Sequence, residues 1–382
     1  MRLLIAGGGT GGHIYPALAV ADSLRRRPNP PELGWIGGHR GLEDRIVRGA
    51  GIPLRRLVLR SLRTMDRDVH LVLDPARLAL SVPQALALLA GDRPAAIFTT
   101  GGYVAIPVLV AASILRIPAL LWEGNVVPGR SVRATARLAG AIAVSFAATC
   151  AALGGRRPCL ETGTPIRETR GVDRLAARER LGIPPGGRVL LVFGGSQAVR
   201  RFNAAVAEVL PQLVERVHVM HVAGDDGYAA ALAARERLPA DLRTRYRPEP
   251  FLGDEMLTAL AAADLVLGRA GSSTLAEVTA LGLPMIVVPY PHAGGHQRAN
   301  ALQLVEAGAA RLIEDADLDG PALLDASRLL DDPAAHAAMA AASRGLSRPA
   351  AADAVATILL ALAERAGLPD AATVERIARG GA

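Results

Sequence analysis

The chain has 382 residues, a length at which two domains are the usual arrangement. Hydrophobic residues make up 51% and aromatic residues 3%, so we expect large cores built mainly from Ala, Val, Leu and Ile. The net charge is +7, and two cysteines are too few for a disulfide framework or a four-cysteine metal site, which favours a reducing compartment.

The first residues form a short apolar run, 3–6, that passes directly into a glycine-rich turn. This start lacks the longer apolar stretch and cleavage site of a signal peptide, so we expect no leader. Arg, Gly and Pro interrupt every apolar stretch before it reaches the roughly 18 residues of a membrane span. The sequence therefore predicts neither secretion nor a transmembrane helix.

The positive charge is concentrated in the first half. Residues 1–165 contain 20 arginines and 10 acidic residues, a net of +10, whereas residues 166–382 contain 23 arginines and 26 acidic residues, a net of −3. A basic half favours an anionic partner such as nucleic acid, anionic lipid or phosphate, although an ordinary solvated surface has the same composition.

Short apolar runs recur along the chain, and each ends in a glycine turn followed by a helical pattern. The clearest runs are residues 3–6, 96–100, 189–193, 219–223 and 265–267. This alternation is typical of βαβ units in parallel, doubly wound sheets. It restarts near residue 188, after an irregular stretch and the Pro-Pro-Gly-Gly sequence at 184–187.

We therefore predict an α/β protein with two Rossmann-like domains. Residues 1–160 form the first, 161–187 a linker, and 188–382 the second, ending in helices. Ligands of such sheets bind at the carboxyl ends of the strands, so both sets of turns are expected around one cleft.

The first turn contains Gly7-x-Gly9-x-x-Gly12, which matches the dinucleotide-binding fingerprint. That fingerprint also requires an acid at the end of the second strand, which here ends in Gly37-Gly38-His39, so NAD binding is disfavoured. His13 follows the turn at the start of the first helix, where a neutral imidazole is favoured and can act as a general base. A capping or packing role is the alternative for His13.

Two turns in the second half suit a nucleotide. Gly194-Gly195-Ser196-Gln197 opens a helix whose N–H groups and Ser196 hydroxyl suit an anion, and no lysine follows in the P-loop pattern. Residues 269–277 place Gly271 and three hydroxyls at another helix start, with Glu277 about one turn inside, where a carboxylate can accept two hydrogen bonds from a ribose. An ordinary strand-to-helix turn and a capping box are the alternatives.

In this order the motifs resemble those of the MurG family of UDP-N-acetylglucosamine (UDP-GlcNAc) transferases, which convert lipid I to lipid II in peptidoglycan synthesis. The resemblance covers the chain from Gly7 to about Ala310. It depends on Gly8-Gly9-Thr10-Gly11-Gly12-His13 with Pro16-Ala17-Leu18-Ala19, Gly101-Gly102-Tyr103, Glu123-x-Asn125, Thr164-Pro165-x-Arg167, Gly194-Gly195-Ser196-Gln197 with Arg200 and Asn203, residues 271–277, and His296-Gln297 with Asn300-Ala301.

The resemblance implies the GT-B fold and an inverting transfer of N-acetylglucosamine (GlcNAc) from UDP-GlcNAc to the N-acetylmuramic acid C4 hydroxyl of lipid I. It implies that His13 is the catalytic base, with Glu123 and Tyr103 as further candidates for the proton. Ser196 is expected at the diphosphate, the Leu252 backbone at uracil, Glu277 at ribose, and Gln297 with His296 at the sugar. The implied substrate-binding residues are Thr10, Gly11, Gly12, Asn125, Arg167, Ser196, Leu252, Gly271, Ser272, Ser273, Thr274, Glu277, His296 and Gln297.

No cofactor and no metal are expected in this scheme. The Asp-x-Asp groups at Asp66/Asp68 and Asp315-x-Asp317-x-Asp319 are interpreted as solvated or capping acids. The expected partners are UDP-GlcNAc, an undecaprenyl-linked acceptor, an anionic membrane surface and, as a possibility, other cell-wall enzymes. The expected location is peripheral, on the cytoplasmic face of the membrane.

The chain departs from the usual family pattern at four positions. Trp122 and Gly124 replace a His and a Gln, Ala198 replaces a Gly, and Gly295 replaces a residue that is often acidic. The first two lie on the acceptor side, so a transferase of the same clan with another lipid acceptor, such as a diacylglycerol, stays an alternative. UDP-GlcNAc 2-epimerase and a non-catalytic nucleotide-sugar binder are the others.

Residues 55–89 combine basic and apolar character. Arg55, Arg56, Arg60, Arg63 and Arg67 alternate with Leu57, Val58, Leu59, Leu62 and Met65, and a second apolar stretch covers residues 78–89. This composition suits an anionic bilayer surface, although a core segment with exposed arginines has the same pattern. Nucleic acid is disfavoured because no aromatic stacking platform accompanies the charge.

Overall fold

The computed structural model describes residues 1–38, 43–59, 70–194, 200–292 and 294–381. These residues form two sheets in which all paired strands are parallel. The strands of the first sheet are β1 (Arg2–Ala6), β2 (Glu32–Gly37), β3 (Leu54–Arg56), β4 (Ala96–Thr99), β5 (Ala119–Glu123), β6 (Ala141–Val144) and β7 (Cys159–Glu161). Those of the second are β8 (Val189–Phe193), β9 (His218–Val222), β10 (Tyr246–Glu249), β11 (Leu265–Gly268), β12 (Met285–Val287) and β13 (Ala310–Leu312).

Helices connect the strands. They are α1 (Gly11–Arg25), α2 (Glu43–Gly49), α3 (His70–Asp92), α4 (Gly102–Leu115), α5 (Arg130–Thr135), α6 (Ala148–Ala152), α7 (Arg174–Arg180), α8 (Arg200–Arg216), α9 (Asp225–Glu236), α10 (Met256–Ala262), α11 (Ser272–Ala280), α12 (His296–Glu306), α13 (Gly320–Ser327), α14 (Pro333–Gly345), α15 (Ala351–Ala363) and α16 (Ala371–Ala378). Short 3₁₀ helices cover Ala136–Leu138, Arg243–Arg245, Gly253–Glu255, Asp315–Asp317 and Arg328–Asp331. Within the described part of the chain, none of the helices combines the length and apolar character needed to cross a bilayer.

Both sheets are doubly wound. Their strand orders are β3-β2-β1-β4-β5-β6-β7 and β10-β9-β8-β11-β12-β13, so the first strand of each lies inside its sheet. The strand order reverses between β1 and β4 and between β8 and β11, and the turns that leave these strands stand side by side at the carboxyl edge. The structure confirms the predicted fold class of two Rossmann-like domains.

The strands are buried on both faces because helices cover the two sides of each sheet. All residues of β4, β5 and β8 are buried, which matches their nearly continuous apolar sequences. In the first sheet, Trp35, Phe98 and Trp122 pack on the side of α1, while Val104 and Leu109 of α4 pack on the other. One filled core on each face of the first sheet therefore holds the turns at its carboxyl edge in place.

The domain boundary at the end of the chain differs from the prediction. The chain divides into unit 1, Met1–Glu168 with Arg348–Ala382, and unit 2, Thr169–Ser347. Helix α15 belongs to the first core, where Val355, Ile358 and Leu359 share a cluster with Leu3 and Ile5. Residues 348–382, predicted as part of the second domain, therefore belong to the first. They cover the part of one face of the first sheet that α1 leaves uncovered.

The structure also corrects the interpretation of the two cysteines. Cys150, in α6, and Cys159, the first residue of β7, form a disulfide. A single pair between neighbouring elements is not a disulfide framework. Nevertheless, their pairing removes the support that the cysteine count gave to a reducing compartment.

Candidate active site

In unit 1, the centre of the carboxyl edge is a two-way contact between His13 and Thr100. Nδ1 of His13 lies 2.7 Å from the carbonyl oxygen of Thr100, and the Thr100 hydroxyl donates to the carbonyl oxygen of His13 at 3.0 Å. Because a carbonyl oxygen only accepts, Nδ1 must carry the hydrogen. In the neutral ring the lone pair is then on Nε2, which is the nitrogen able to take a proton.

Two glycines at the start of α4 leave room beside the imidazole of His13. Gly101 and Gly102 have φ angles of +82° and +73°, a region that favours glycine. A Cβ atom on Gly102 would lie 3.6 Å from Nε2 of His13. The Gly101-Gly102 pair therefore gives the turn its shape and adds no side chain of its own beside the proton-accepting nitrogen.

The start of α1 contains three of the predicted substrate-binding residues. Thr10 precedes the helix, its carbonyl oxygen accepts the His13 N–H at 3.0 Å, and Gly11 and Gly12 form the first turn. This first turn contains no acidic side chain, and the backbone N–H groups of Gly11 and Gly12 precede the first hydrogen bond of the helix. The same turn that positions His13 can therefore accept an electron-rich group.

Tyr103 donates its hydroxyl to a carboxylate that sequence reasoning missed. The Tyr103 hydroxyl oxygen lies 3.4 Å from Oε1 of Glu43, a residue that is 1% exposed. Oε1 of Glu43 also accepts the Gly9 N–H at 2.8 Å. Burial and the nearby Glu43 carboxylate raise the pKa of Tyr103, so its hydroxyl stays protonated near neutral pH. This arrangement makes Tyr103 a hydrogen-bond donor rather than a proton acceptor.

Glu123, the other predicted candidate for the proton, is 5% exposed and both of its oxygens accept hydrogen bonds. Oε1 accepts from the backbone N–H and the side-chain amide of Asn125, both at 2.9 Å, and Oε2 accepts from the Gly129 N–H at 2.8 Å. These contacts shape the loop after β5 and orient Asn125. They favour a positioning role for Glu123.

Trp122, one of the departures from the family pattern, belongs to the core. It is 2% exposed, and its indole N–H donates to the carbonyl oxygen of Gly163 at 3.2 Å. The Trp that stands at position 122 in place of the usual His is therefore accommodated in the core of unit 1, and it presents nothing to a substrate.

Arg167, one of the predicted substrate-binding residues, is exposed near the end of the first segment of unit 1.

In unit 2, the β11–α11 turn contains the predicted phosphate-binding segment. Gly271 precedes α11, and Ser272, Ser273 and Thr274 form its first turn, all partly buried and without an acidic neighbour in that turn. N–H groups without a helical partner, together with the helix dipole, suit the negative charge of a diphosphate. Glu277 is partly buried in the second turn of α11.

The β12–α12 turn contains the predicted sugar-reading residues. Oε1 of Gln297 accepts the Tyr290 N–H at 2.9 Å, so the amide nitrogen of Gln297 is the atom left to donate. His296 is the first residue of α12 and follows Gly295, which has a φ of +80°. Asn300 is fully buried and donates to the Ala270 carbonyl oxygen at 3.2 Å, which links α12 to the turn before α11.

Sequence reasoning assigned no role to Arg269, which connects these two turns. It is 6% exposed, forms an ion pair with Asp315 at 2.5 Å and donates to the carbonyl oxygens of Val288 and Pro289 at 3.3 and 3.4 Å. Its guanidinium also lies over the Phe202 ring, 4.5 Å from the centroid. An arginine at the end of a buried strand is itself a signal, because a buried charge requires a partner.

Two of the three acids at 315–319 have structural roles. Asp315 pairs with Arg269 and Arg201, and Asp319 accepts the Ala322 N–H at the start of α13. Among the described residues, no group of three or more potential metal ligands lies together. Asp66 and Asp68 are outside the described residues.

Of two further predicted residues, the structure describes Leu252 but not Ser196. Leu252, which follows β10, is 5% exposed, and its carbonyl oxygen accepts the Glu255 N–H at 2.7 Å. Ser196, predicted at the diphosphate, lies in the segment 195–199 outside the described residues. In unit 2, the described candidates thus lie on three strand-end segments: Leu252 after β10, residues 271–277 after β11, and His296 with Gln297 after β12.

Comparison with known proteins assigns both halves of the chain to one glycosyltransferase family. The family model described as glycosyltransferase family 28 N-terminal domain matches residues 3–144, and that described as glycosyltransferase family 28 C-terminal domain matches residues 189–357. The UDP-N-acetylglucosamine–N-acetylmuramyl-(pentapeptide) pyrophosphoryl-undecaprenol N-acetylglucosamine transferase of Desulforudis audaxviator is 41% identical over 346 residues, which cover 89% of this chain and 92% of that protein.

Solved structures agree with this match. The crystal structure of Acinetobacter baumannii MurG aligns with a TM-score of 0.76 at 27% identity, covering 94% of this chain and 99% of that one. A Listeria monocytogenes protein described as a UDP-N-acetylglucosamine 2-epimerase aligns with a TM-score of 0.69 at 15% identity, covering 97% and 98%. At that identity the second likeness concerns the fold alone.

Proposed function

This chain is a member of glycosyltransferase family 28, and on that premise we propose that it transfers GlcNAc from UDP-GlcNAc to the C4 hydroxyl of N-acetylmuramic acid in lipid I, producing lipid II. The Desulforudis audaxviator relative, 41% identical, bears the name of this transferase. The motifs that resemble the MurG family occur in both units and in the same order. Trp122, one of the two departures on the acceptor side, is buried in the core of unit 1 and therefore does not argue against lipid I as the acceptor.

The geometry of His13 carries the proposed chemistry. Its Nδ1–H is fixed on the Thr100 carbonyl oxygen at 2.7 Å, so the neutral ring presents Nε2 as a base. The pair stands at the carboxyl edge of β1 and β4, where ligands of doubly wound sheets bind. Tyr103 and Glu123 are engaged as a donor and as a loop anchor, which leaves His13 as the base that we propose.

The proposed reaction is a single displacement with inversion. The acceptor hydroxyl oxygen bonds to C1 of GlcNAc while the bond from C1 to the diphosphate oxygen breaks, and the bonding electrons leave with UDP. Nε2 of His13 takes the hydroxyl proton. The first turn of α11 stabilises the negative charge that develops on the leaving diphosphate. Glu277 binds the ribose hydroxyls, and Gln297 binds the sugar.

We extend the proposal to a peripheral contact between unit 1 and an anionic membrane on its cytoplasmic side. Val58 and Leu80 support it, because they are apolar yet 48% and 63% exposed. Leu57 is fully buried, and Arg55 and Arg56 pair with Asp92 and Asp44, so part of the predicted stretch serves the fold. Residues 60–69 lie outside the described residues.

One assay with three arms tests the proposed function. Purified protein is given radiolabelled UDP-GlcNAc with lipid I, with diacylglycerol, or with no acceptor. We expect labelled lipid II in the first arm only. Label on diacylglycerol would establish the other lipid acceptor, and formation of UDP-N-acetylmannosamine without an acceptor would establish the epimerase. If the protein bound the nucleotide sugar but formed no product in any arm, it would be a non-catalytic nucleotide-sugar binder.

A further inference from the structure

Glu43 is an acid inside the carboxyl edge of unit 1 that the proposed reaction does not use. It begins α2, immediately after a segment outside the described residues, and its side chain is 1% exposed. Its Oε1 accepts the Gly9 N–H at 2.8 Å and faces the Tyr103 hydroxyl at 3.4 Å. A single buried carboxylate therefore contacts the turns that follow β1 and β4.

Glycines around Glu43 leave the space that its side chain occupies. A Cβ atom on Gly8 would lie 1.9 Å from Oε1 of Glu43, and one on Gly37 would lie 3.4 Å from its Cγ. A Cβ atom on Gly38 would similarly lie 2.2 Å from the Tyr103 hydroxyl. The ends of β1 and β2 thus lack side chains where Glu43 and Tyr103 pack against them, so the contact is built into these two strand ends.

The environment of the second carboxylate oxygen indicates that Glu43 has a role beyond stabilising the fold. Oε2 of Glu43 is buried and has no hydrogen-bond partner among the described residues. A buried polar atom without a partner destabilises the folded state. An apolar side chain would fill this space without that cost, but it would offer no acceptor to the Gly9 N–H and the Tyr103 hydroxyl.

We propose that Glu43 is a positioning residue for the transfer reaction, which fixes the glycine turn before His13 and the hydroxyl of Tyr103. This inference rests on the proposed function. Gly9 is four residues before His13, and Thr10 between them provides the carbonyl oxygen that accepts the His13 N–H at 3.0 Å. Anchoring the Gly9 N–H therefore sets where α1 starts, while anchoring Tyr103 holds its O–H beside the same turn.

This role requires a hydrogen-bond acceptor at the correct distance and does not require negative charge. Glu43→Gln keeps the length of the side chain and one acceptor oxygen. Glu43→Asp keeps the charge but is one methylene shorter, and Glu43→Ala removes both properties. If Glu43 instead took part in proton transfer, the charged Asp variant would be more active than the neutral Gln variant.

The test is steady-state transfer of GlcNAc to lipid I by the full chain and its variants. We expect Glu43→Gln to keep kcat within about fivefold, and Glu43→Asp and Glu43→Ala to lower it by about 10- to 100-fold. The KM for UDP-GlcNAc should stay within about twofold in all three. Asp44→Asn is the matched control, because Asp44 is the next residue and is exposed, and its activity should be unchanged. Higher activity in Asp than in Gln, or full activity in Ala, would overturn the proposal.

A second measurement reports the contact even in a variant with little activity. The free energy of unfolding in urea is measured for the wild type, Glu43→Ala, Tyr103→Phe and the double variant. We expect the effects of the two substitutions to be non-additive, because each removes one side of the same hydrogen bond. Additive effects would contradict the contact. If the wild type transferred no GlcNAc, the proposed function would fail, whereas this cycle would still test the position of Glu43.

Discussion

His13 and Thr100 hold each other through two hydrogen bonds that run in opposite directions. The imidazole Nδ1 lies 2.7 Å from the Thr100 carbonyl oxygen, and the Thr100 hydroxyl lies 3.0 Å from the His13 carbonyl oxygen. One bond sets the tautomer of the ring, and the other joins the first turn of α1 to the end of β4. The chemistry of the side chain and the local fold therefore depend on the same pair.

The first prediction concerns the donor. Glu277→Ala should lower kcat/KM for UDP-GlcNAc by a factor that corresponds to about 1.5–3 kcal/mol, the usual loss when a hydrogen bond to a charged group is removed. Glu277 is the only acid in the segment 269–277, which otherwise offers backbone and hydroxyl donors. Initial rates at varied UDP-GlcNAc and saturating acceptor measure the effect.

Glu306→Ala is the control for the donor prediction. Glu306 is an exposed glutamate at the end of α12, in the same unit as Glu277, and its removal should leave kcat/KM unchanged. Thermal unfolding of both variants checks that the fold is retained. Unaltered kcat/KM in a folded Glu277→Ala protein would remove Glu277 from the ribose.

The second prediction concerns the membrane. The protein should bind vesicles that contain anionic lipid more tightly than neutral vesicles, and the difference should shrink as salt is added. Val58→Ser with Leu80→Ser should weaken binding, because these two exposed side chains are the apolar part of the surface that we propose. Vesicle sedimentation at two salt concentrations measures both effects.

Ile114→Ser is the matched control for the vesicle experiment. Ile114 is 60% exposed in unit 1 but belongs to α4, outside the stretch 55–89. We expect its substitution to have no effect on binding. Equal, salt-insensitive binding to both kinds of vesicle would mean that the stretch 55–89 is purely structural.

The sequence predicts those features whose cause is local. Glycine turns after apolar runs mark where β1, β4, β8 and β11 end, and a parallel doubly wound sheet brings those ends to one edge. His13 is predicted because it directly follows such a turn, and Glu277 because it lies about one turn inside the helix that such a turn opens. Local pattern therefore suffices for the fold class, whereas the roles assigned to the candidate site residues stay predictions.

Features that depend on contacts between distant residues were not predicted. Helix α15 is apolar and alanine-rich, and nothing in its sequence indicates which sheet it covers, so its assignment to the second domain was wrong. Glu43 meets Gly9 across 34 residues, and Arg269 meets Asp315 across 46. Charged residues that are buried reveal their roles only when their partners are known.

The third prediction concerns stability in acid. His221 is 2% exposed, and its two ring nitrogens face the Tyr246 hydroxyl and Oδ1 of Asn203, both at 2.9 Å. Burial lowers the pKa of His221 from 6.5 to about 4. Between these values the unfolded chain binds a proton that the folded chain does not, so stability falls as pH is lowered through this window.

Urea unfolding at several pH values tests the His221 prediction. Between pH 7 and 4.5, His221 should account for a loss of about 2 to 3 kcal/mol in the free energy of unfolding. The loss should be absent from the pH dependence of His221→Gln, which has no titrating group at this position. His292→Asn, at an exposed histidine, is the control and should follow the wild type. Identical curves for His221→Gln and the wild type would contradict the prediction.

The last prediction concerns the base. His13→Ala should lower kcat for transfer to lipid I by at least about 100-fold, because a general base typically contributes 10²- to 10⁴-fold. UDP affinity, measured by calorimetry, should change little, since the proposed donor contacts of unit 2 are untouched. The acidic limb of the kcat–pH profile should also disappear, because protonation of Nε2 is what stops His13 from accepting a proton.

His13→Asn separates the two functions of the ring. The asparagine amide can replace the Nδ1–H donor to the Thr100 carbonyl oxygen, but it provides no base at the position of Nε2. If His13 is the base, the Asn variant should be as inactive as the Ala variant. Recovery of activity in Asn, or a large loss with the acidic limb intact, would make His13 a positioning residue. The base would then have to be Glu123, whose release from the Asn125 and Gly129 N–H groups would become part of the mechanism. Loss of UDP binding in either variant would instead place His13 on the donor.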